Sequence, residues 1–395
     1  MVVNGRLNTT NVPRELRLIL ELLKCENSHQ VTAINPDLFK DIDWELFIKQ
    51  TKHHRIYPFL YSKIKGTDEN MIPPNVIKDV SYEYKRNTFQ MLHLSGQMEQ
   101  LNQKFSEHQI KLLFLKGPVL AHDLYGDLSL RTSSDLDVLI PMDDLARTEQ
   151  LLVSLGYKKD DYIQGVLSDW KWRHHHVTYF HPEQGVKVEV HWRLNPGPAK
   201  EPSFHELWER KRNITFTNQP VYLLSKEDLF LFLASHGARH GWSRLRWLVD
   251  IQQLMRQKVK WEDVSRLIKK YHYRHVGVQA TILATQLLNT PLIKEIETTS
   301  KGEKLAQEAV FYLESMINLH NEPLSEEVAS YHKRHLFSLM SIQQKLFFIL
   351  SFLYPYPEDV ATLPLPEKLH LLYFPLRPFL WGWRKTRKQV YPGRV

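Results

Sequence analysis

The chain reads as an α+β protein in which a small mixed sheet, residues 106–195, is flanked by helical regions at 1–105 and 196–395. Three observations predict this class. Short aliphatic and β-branched runs, each bounded by turn residues, concentrate in the middle of the chain at Lys111–Leu115, Leu136–Ile140 and Gly185–Arg193. Helix punctuation lies between them: Pro118 suits a first helical position, Asp143 and Asp144 suit a helix start, and Gly156 suits a helix end. On either side, apolar residues recur at helical rather than strand spacing.

Taken in order, Pro13–Leu20 opens one helix and Trp44–Thr51 carries another. Ile77–Phe105 forms a long amphipathic helix, with Val80, Tyr84, Met91, Leu94, Met98 and Leu101 as candidate core positions. After the strand Lys111–Leu115, Gly117 permits a tight turn, and Pro118 starts a helix running towards Tyr125. In the strand Leu136–Ile140 the period of two puts Asp135 and Asp137 on one face and Leu136 and Val138 on the other. The next helix has an apolar face of Leu145, Leu151, Leu152 and Leu155. His174-His175-His176 is expected in a strand, with His174 and His176 sharing a face. In the last strand Val186, Val188 and Val190 alternate with Lys187, Glu189, His191 and Arg193. A linker, Pro196–Pro202, precedes a helical remainder, where Ser225-Lys226-Glu227-Asp228 resembles a capping box. His236, Arg239 and His240 then fall about three turns into that helix.

Two carboxylates one residue apart at the end of a buried strand repel each other and are partly desolvated. A hard divalent cation relieves both costs. The helix N-terminus after Lys116-Gly117-Pro118 offers free backbone N–H groups to an anion, and Lys116 adds a positive charge. Arg131, in the loop before the carboxylates, is expected to clamp a phosphate or orient Asp137. His236, Arg239 and His240, with Arg244 and Arg246, suit either a phosphate-facing patch or an ordinary charged helix face. A zinc site at His174–His176 would need a further ligand such as His181 or His191, and strand packing with one histidine near substrate is the better reading.

Lys116-Gly117, the block Arg131-x-x-Ser134-Asp135-x-Asp137, Leu155-Gly156-Tyr157 and Val188-Glu189-Val190-His191-Trp192 together resemble the uncharacterised nucleotidyltransferase family of the DNA polymerase beta superfamily. The resemblance continues through Ser235–Trp242 and Arg246–Asp250. It implies that the sheet is a nucleotidyltransferase palm whose metal-binding, catalytic carboxylates are Asp135, Asp137 and Glu189. It also implies transfer of a nucleoside monophosphate from a nucleoside triphosphate, such as ATP, to a small-molecule or protein acceptor, with Mg2+ or Mn2+. Lys116, Gly117, Arg131, Ser134, His191 and Arg239 are then the expected nucleotide-binding residues. The chain departs from the broader superfamily in its Gly-Pro turn and in the 18 positions from Gly117 to Asp135. The alternative is a module that keeps the fold and binds nucleotide without catalysis.

Composition bounds these readings. With 43% hydrophobic and 24% charged residues the chain falls among globular rather than disordered proteins. A net charge of +8 and a pI near 9.2 suit a protein that handles anions. No zinc finger, RNA-binding signature or aromatic-interleaved basic run is present, which disfavours a nucleic-acid partner. Cys25 is the single cysteine, so no intrachain disulfide forms and a reducing compartment is expected. Met1–Ile19 lacks an apolar signal core and Leu346–Leu353 is too short to span a bilayer, so a cytoplasmic protein without a transmembrane segment is expected. The tail Arg377–Arg394 is read as a basic final helix with Trp381 and Trp383 packed on the body. The same composition would also suit peripheral contact with an anionic membrane.

Overall fold

The computed structural model describes residues 5–160, 163, 165–215, 219–319 and 323–390, so the end of the tail, with Arg394, lies outside the described residues. Helices Arg14–Lys24, Trp44–His53, Tyr57–Ile64 and the long Pro74–Glu107 precede the sheet. The long helix opens on Pro74, whose missing N–H costs nothing in a first turn, and buries Val80, Met91, Leu94, Met98 and Leu101 as its spacing predicts. Tyr84 is the exception: it is half-buried, and its hydroxyl meets that of Ser129 at 2.9 Å. One turn on, the buried Asn87 amide donates to the carbonyls of Ser129 (2.9 Å) and Arg131 (3.3 Å), which ties the helix to the loop before the carboxylates.

The sheet has seven strands: β1 (Leu113–Phe114), β2 (Asp135–Leu139), β3 (Lys158–Lys159), β4 (His176–His181), β5 (Val186–His191), β6 (Arg212–Ile214) and β7 (Val221–Leu223). Their spatial order is β3-β4-β5-β2-β1-β7-β6, with β2 central, parallel to β5 and antiparallel to β1. The sheet therefore runs past the expected boundary at residue 195, because β7 pairs in parallel with β1. Three-residue strands carry too few positions for their alternation to register in the sequence. The strand expected at His174–His176 begins only at His176. His174 ends the short helix Trp170–Arg173, and its amide donates to the Trp170 carbonyl. The helix expected to be capped by Asp143 and Asp144 starts at Leu145 after a 3-10 turn, and the Asp144 carboxylate takes Arg147 (2.8 Å) instead of capping.

The three zones of the sequence pack as two cores. One joins the second half of the long helix to the sheet, through Met91, Leu94, Phe114, Leu136, Val138 and Val188. The other joins the first helices to helices Lys226–Arg239, Leu245–Met255 and Arg274–Leu288, so the regions before and after the sheet share an interior. The Arg246 amide donates to the His54 carbonyl (3.2 Å) across that joint. Beyond it lie helices Glu326–Leu339, Ile342–Ser351, Pro357–Thr362 and Tyr373–Val390. There Trp381 and Trp383 are each 55% exposed, more open than the packing on the body that the sequence reading favoured.

Candidate active site

The register of β2 on β5 builds the site. Asp135 stands opposite Lys187, Asp137 opposite Glu189, and Leu139 opposite His191. Paired positions share a face, so the polar side chains project together while Leu136, Val138, Val188 and Val190 fill the core behind them. β4 lies antiparallel on the far side of β5 and sets His176 opposite His191. Asp137, Glu189 and His191 bring ligand atoms within 4.8 Å of one another, as do His175, His176 and His191. His191 belongs to both groups.

Cations lace these carboxylates together. Lys116 Nζ lies 2.8 Å from Asp137 Oδ1, and Lys187 Nζ bridges Glu189 Oε1 (2.7 Å) and Asp135 Oδ2 (3.1 Å). His191 Nε2 is 3.3 Å from Asp137 Oδ1 and 3.7 Å from Glu189 Oε2. The residue after Lys116, Gly117, turns at φ +92°, in the left-handed region, where a Cβ would lie 3.5 Å from the Asp135 carbonyl oxygen. Burial by itself would raise the Asp137 and Glu189 carboxyls. Lys116 and His191 outweigh it at Asp137, and His191 and Lys116 outweigh it at Glu189, so both stay ionised. Burial would lower His191, but hydrogen-bonding contact with Asp137 and then Glu189 raises it. His175 and His176 are held neutral, first by burial and then by the cations beside them, with His176 lowered to about 4.

Facing this anionic sheet is a cationic wall from helix Lys226–Arg239 and the turn after it. A Cβ on Gly237 would come within 2.3 Å of the Trp242 ring. Glycine there lets Trp242 fold back and donate to Gln279 (2.9 Å), which returns the chain past Arg244 to Arg246. Arg239 Nη2 lies 3.3 Å from His236 Nδ1, while its Nη1 is buried without a hydrogen-bond partner. Arg246 Nη1 donates to the Thr132 carbonyl (2.6 Å) and hydroxyl (3.0 Å), and its buried Nε also lacks a partner. Burial lowers both guanidiniums, and Arg246, lowered to about 9, remains cationic at neutral pH. His236 is neutral for the same reason, and its ring packs edge-on against Trp247 at 5.5 Å.

Arg131 is not part of that wall. It is 2% exposed, and its guanidinium grips Asp250 in bidentate fashion at 2.9 and 3.0 Å, with the Tyr125 hydroxyl donating to the same carboxylate (2.7 Å). With Nε and Nη2 on Asp250 and Nη1 3.4 Å from the Thr132 carbonyl, Arg131 pins the carboxylate loop to helix Leu245–Met255. Ser134 is exposed on the loop. It lines a cavity of about 460 Å3 with Lys52, Arg55 and Arg86, outside the carboxylate group.

The donor set suits a hard divalent cation. Asp137, with Lys116 as its ion-pair partner, gathers with Glu189 and His191 into one group of ligand atoms, while Asp135 lies outside that group and is joined to Glu189 through Lys187. Carboxylate oxygens match Mg2+ or Mn2+.

Residues 40–289 match the model of an uncharacterised nucleotidyltransferase family. The chain belongs to that family. Among solved structures, this nucleotidyltransferase is similar to an antigenic nucleotidyltransferase-like protein from Paracoccidioides brasiliensis. The identity is 17% and the TM-score 0.31, over 51% of this chain and 94% of that one. It is also similar to MenT4, a nucleotidyltransferase toxin from Mycobacterium tuberculosis H37Rv, at 15% identity and a TM-score of 0.28, over 65% of this chain and 97% of the toxin. No curated protein matches it.

Four side chains of the nucleotidyltransferase site carry more than their sequence position suggested. Lys187 stood on the right strand face, but its bridge to Asp135 follows from the β2–β5 register. His175 was passed over for His174 because the strand was started two residues early. Asp250 and Asn87 act through contacts 119 and 44 residues away, to Arg131, which no local pattern encodes.

Proposed function

We propose that this nucleotidyltransferase moves a nucleoside monophosphate from a nucleoside triphosphate such as ATP to a hydroxyl or phosphate acceptor, with Mg2+ or Mn2+ held by Asp135, Asp137 and Glu189. One observation supports this above the rest: two ionised carboxylates, Asp137 and Glu189, gather with His191 on one sheet face, and Arg239 and Arg246 each carry a buried nitrogen without a hydrogen-bond partner. When bound, the cations supply charge neutralisation at the reacting phosphate and at the departing pyrophosphate.

The protein's own part divides by charge. Arg239, Arg246 and Lys116 hold the polyphosphate and orient it. Gly117 brings the first turn of helix Pro118–Tyr125 close to the carboxylate strand, where its free N–H groups can take a phosphate oxygen. The acceptor oxygen attacks the α-phosphorus, the bond from that phosphorus to the pyrophosphate oxygen breaks, and the acceptor's proton passes to Glu189. Glu189 suits this role better than Asp137, since its side chain keeps 17% exposure against 1%. The single, buried Cys25 is compatible with a reducing cytoplasm.

The reading is tested by incubating the purified protein with each labelled nucleoside triphosphate, Mg2+ and a cell extract, then finding by mass which species gains a nucleotidyl group. A labelled product that disappears with Asp137→Asn supports the transfer. Tight nucleotide binding with no product from any acceptor would leave a binding module.

A further inference from the structure

From the structure we infer that the C-terminal helices, residues 337–383, form a docking face for an anionic lipid bilayer. Of the 22 large apolar side chains that stand exposed among the described residues, 16 lie between Phe337 and Trp383. They are not scattered. On helix Ile342–Ser351 and its end, Ile342 (84% exposed), Leu346, Ile349, Leu350 and Leu353 fall at helical spacing along one stripe, and the stripe faces outward. Gln344 and Ser351 are the buried positions of this helix, and the half-buried Phe348 lies between them on the inward side. A stripe this apolar on the outward side is unusual for a helix in water and ordinary for one that meets an apolar phase there.

The next elements continue the face and give it a charge. Phe379 is 75% exposed, and with Trp381 and Trp383 it stands on helix Tyr373–Val390. From Leu363 to Val390 the chain carries Lys368, Lys385, Arg387 and Lys388 against the single acid Glu367, besides Arg377 and Arg384, whose charge Asp359 offsets. Lys385 lies over the Trp381 ring at 4.9 Å, the pairing of an aromatic ring with a cation that suits the headgroup layer. A second copy of the chain would have to meet this positive segment with its own, whereas anionic headgroups complement it. No helix among the described residues is long and apolar enough to cross a membrane, so the contact is peripheral.

The face is mounted firmly on the palm. Arg173, one residue before His174, pairs with Asp169 (2.6 Å), donates to the Ser351 carbonyl (3.3 Å) and stacks over Tyr356 (3.9 Å). The Tyr354 hydroxyl donates to the Leu167 carbonyl (2.9 Å), and buried Asp359 takes both Arg377 and Arg384. A docked bilayer would thus stand in a fixed relation to His175 and His176. The match to the family model ends at residue 289, so this face lies outside it.

The test is flotation of the full chain with phosphatidylcholine vesicles, with and without phosphatidylglycerol. Binding to the anionic vesicles should exceed binding to neutral ones about tenfold and weaken as salt is raised. Ile349→Ser with Leu350→Ser, and separately Trp381→Ala with Trp383→Ala, should each lower it about tenfold, because each removes a large part of the inserted apolar area. These side chains are exposed, so circular dichroism and melting should hardly change. Absence of flotation with every vesicle would overturn the inference. So would a concentration-dependent dimer abolished by the same substitutions, which would make the face an interface between copies.

Discussion

The sheet side of the cleft and the helix side solve opposite electrostatic problems. On the sheet, Asp135, Asp137 and Glu189 are crowded together and Lys116, Lys187 and His191 partly satisfy them. On the helix side, Arg239 and Arg246 are half-buried, each with one buried nitrogen that lacks a hydrogen-bond partner, and among the described residues no carboxylate pairs directly with either. A fold built for stability alone would pair the two walls. Such a division of charge suits a ligand that is itself anionic and carries divalent cations, as a metal-bound nucleoside triphosphate does.

The strongest way to break this comparison is to neutralise the anionic wall. Asp137→Asn keeps the side-chain size, so turnover should fall by about three orders of magnitude while the melting temperature holds, measured by product mass and by calorimetry. Arg131→Ala asks whether Arg131 has been correctly moved out of the cationic wall. Because it strands a buried Asp250 charge, it should destabilise the protein by about 3–5 kcal/mol in denaturant titration. A stable Arg131→Ala variant with impaired nucleotide binding would return it to the ligand.

Smaller effects sharpen the division of labour. Arg239→Ala and Arg246→Ala should each weaken nucleotide binding about ten- to a hundredfold, the value of one charge-assisted contact of about 1.5–3 kcal/mol. Binding measured calorimetrically without metal should show this loss in both variants and hardly any in Asp137→Asn. Lys187→Met removes an ammonium that sits between Asp135 and Glu189 and whose proton those two carboxylates hold against the cost of burial. It should tighten Mn2+ binding several-fold, since a competing cation is gone. Unchanged affinity would mean that Lys187 stays in place when the metal arrives.

What could be read from the sequence follows from the range of the interactions. Alternation along β2 and β5 places Asp135, Asp137 and Glu189 on polar faces, and the Gly117-Pro118 turn declares itself in two residues. The Asp250 partner of Arg131 was not legible because it is 119 residues away, and an arginine near carboxylates looks the same in sequence whether it faces a phosphate or a buried aspartate. β6 and β7 were missed because three residues cannot show a period. The tryptophans of the last helix were read inward on the general rule that aromatic residues are buried, a rule that fails when the partner phase is not the protein.

The most direct test of the two-wall account is a Mn2+ titration followed by electron paramagnetic resonance, with a non-hydrolysable ATP analogue present, on wild type, Asp137→Asn and Glu189→Gln. The account predicts bound Mn2+ in wild type that depends on the analogue, with most of it lost in both variants although each still folds. Equal Mn2+ binding in all three proteins would contradict it, because the carboxylates of β2 and β5 would then hold no metal.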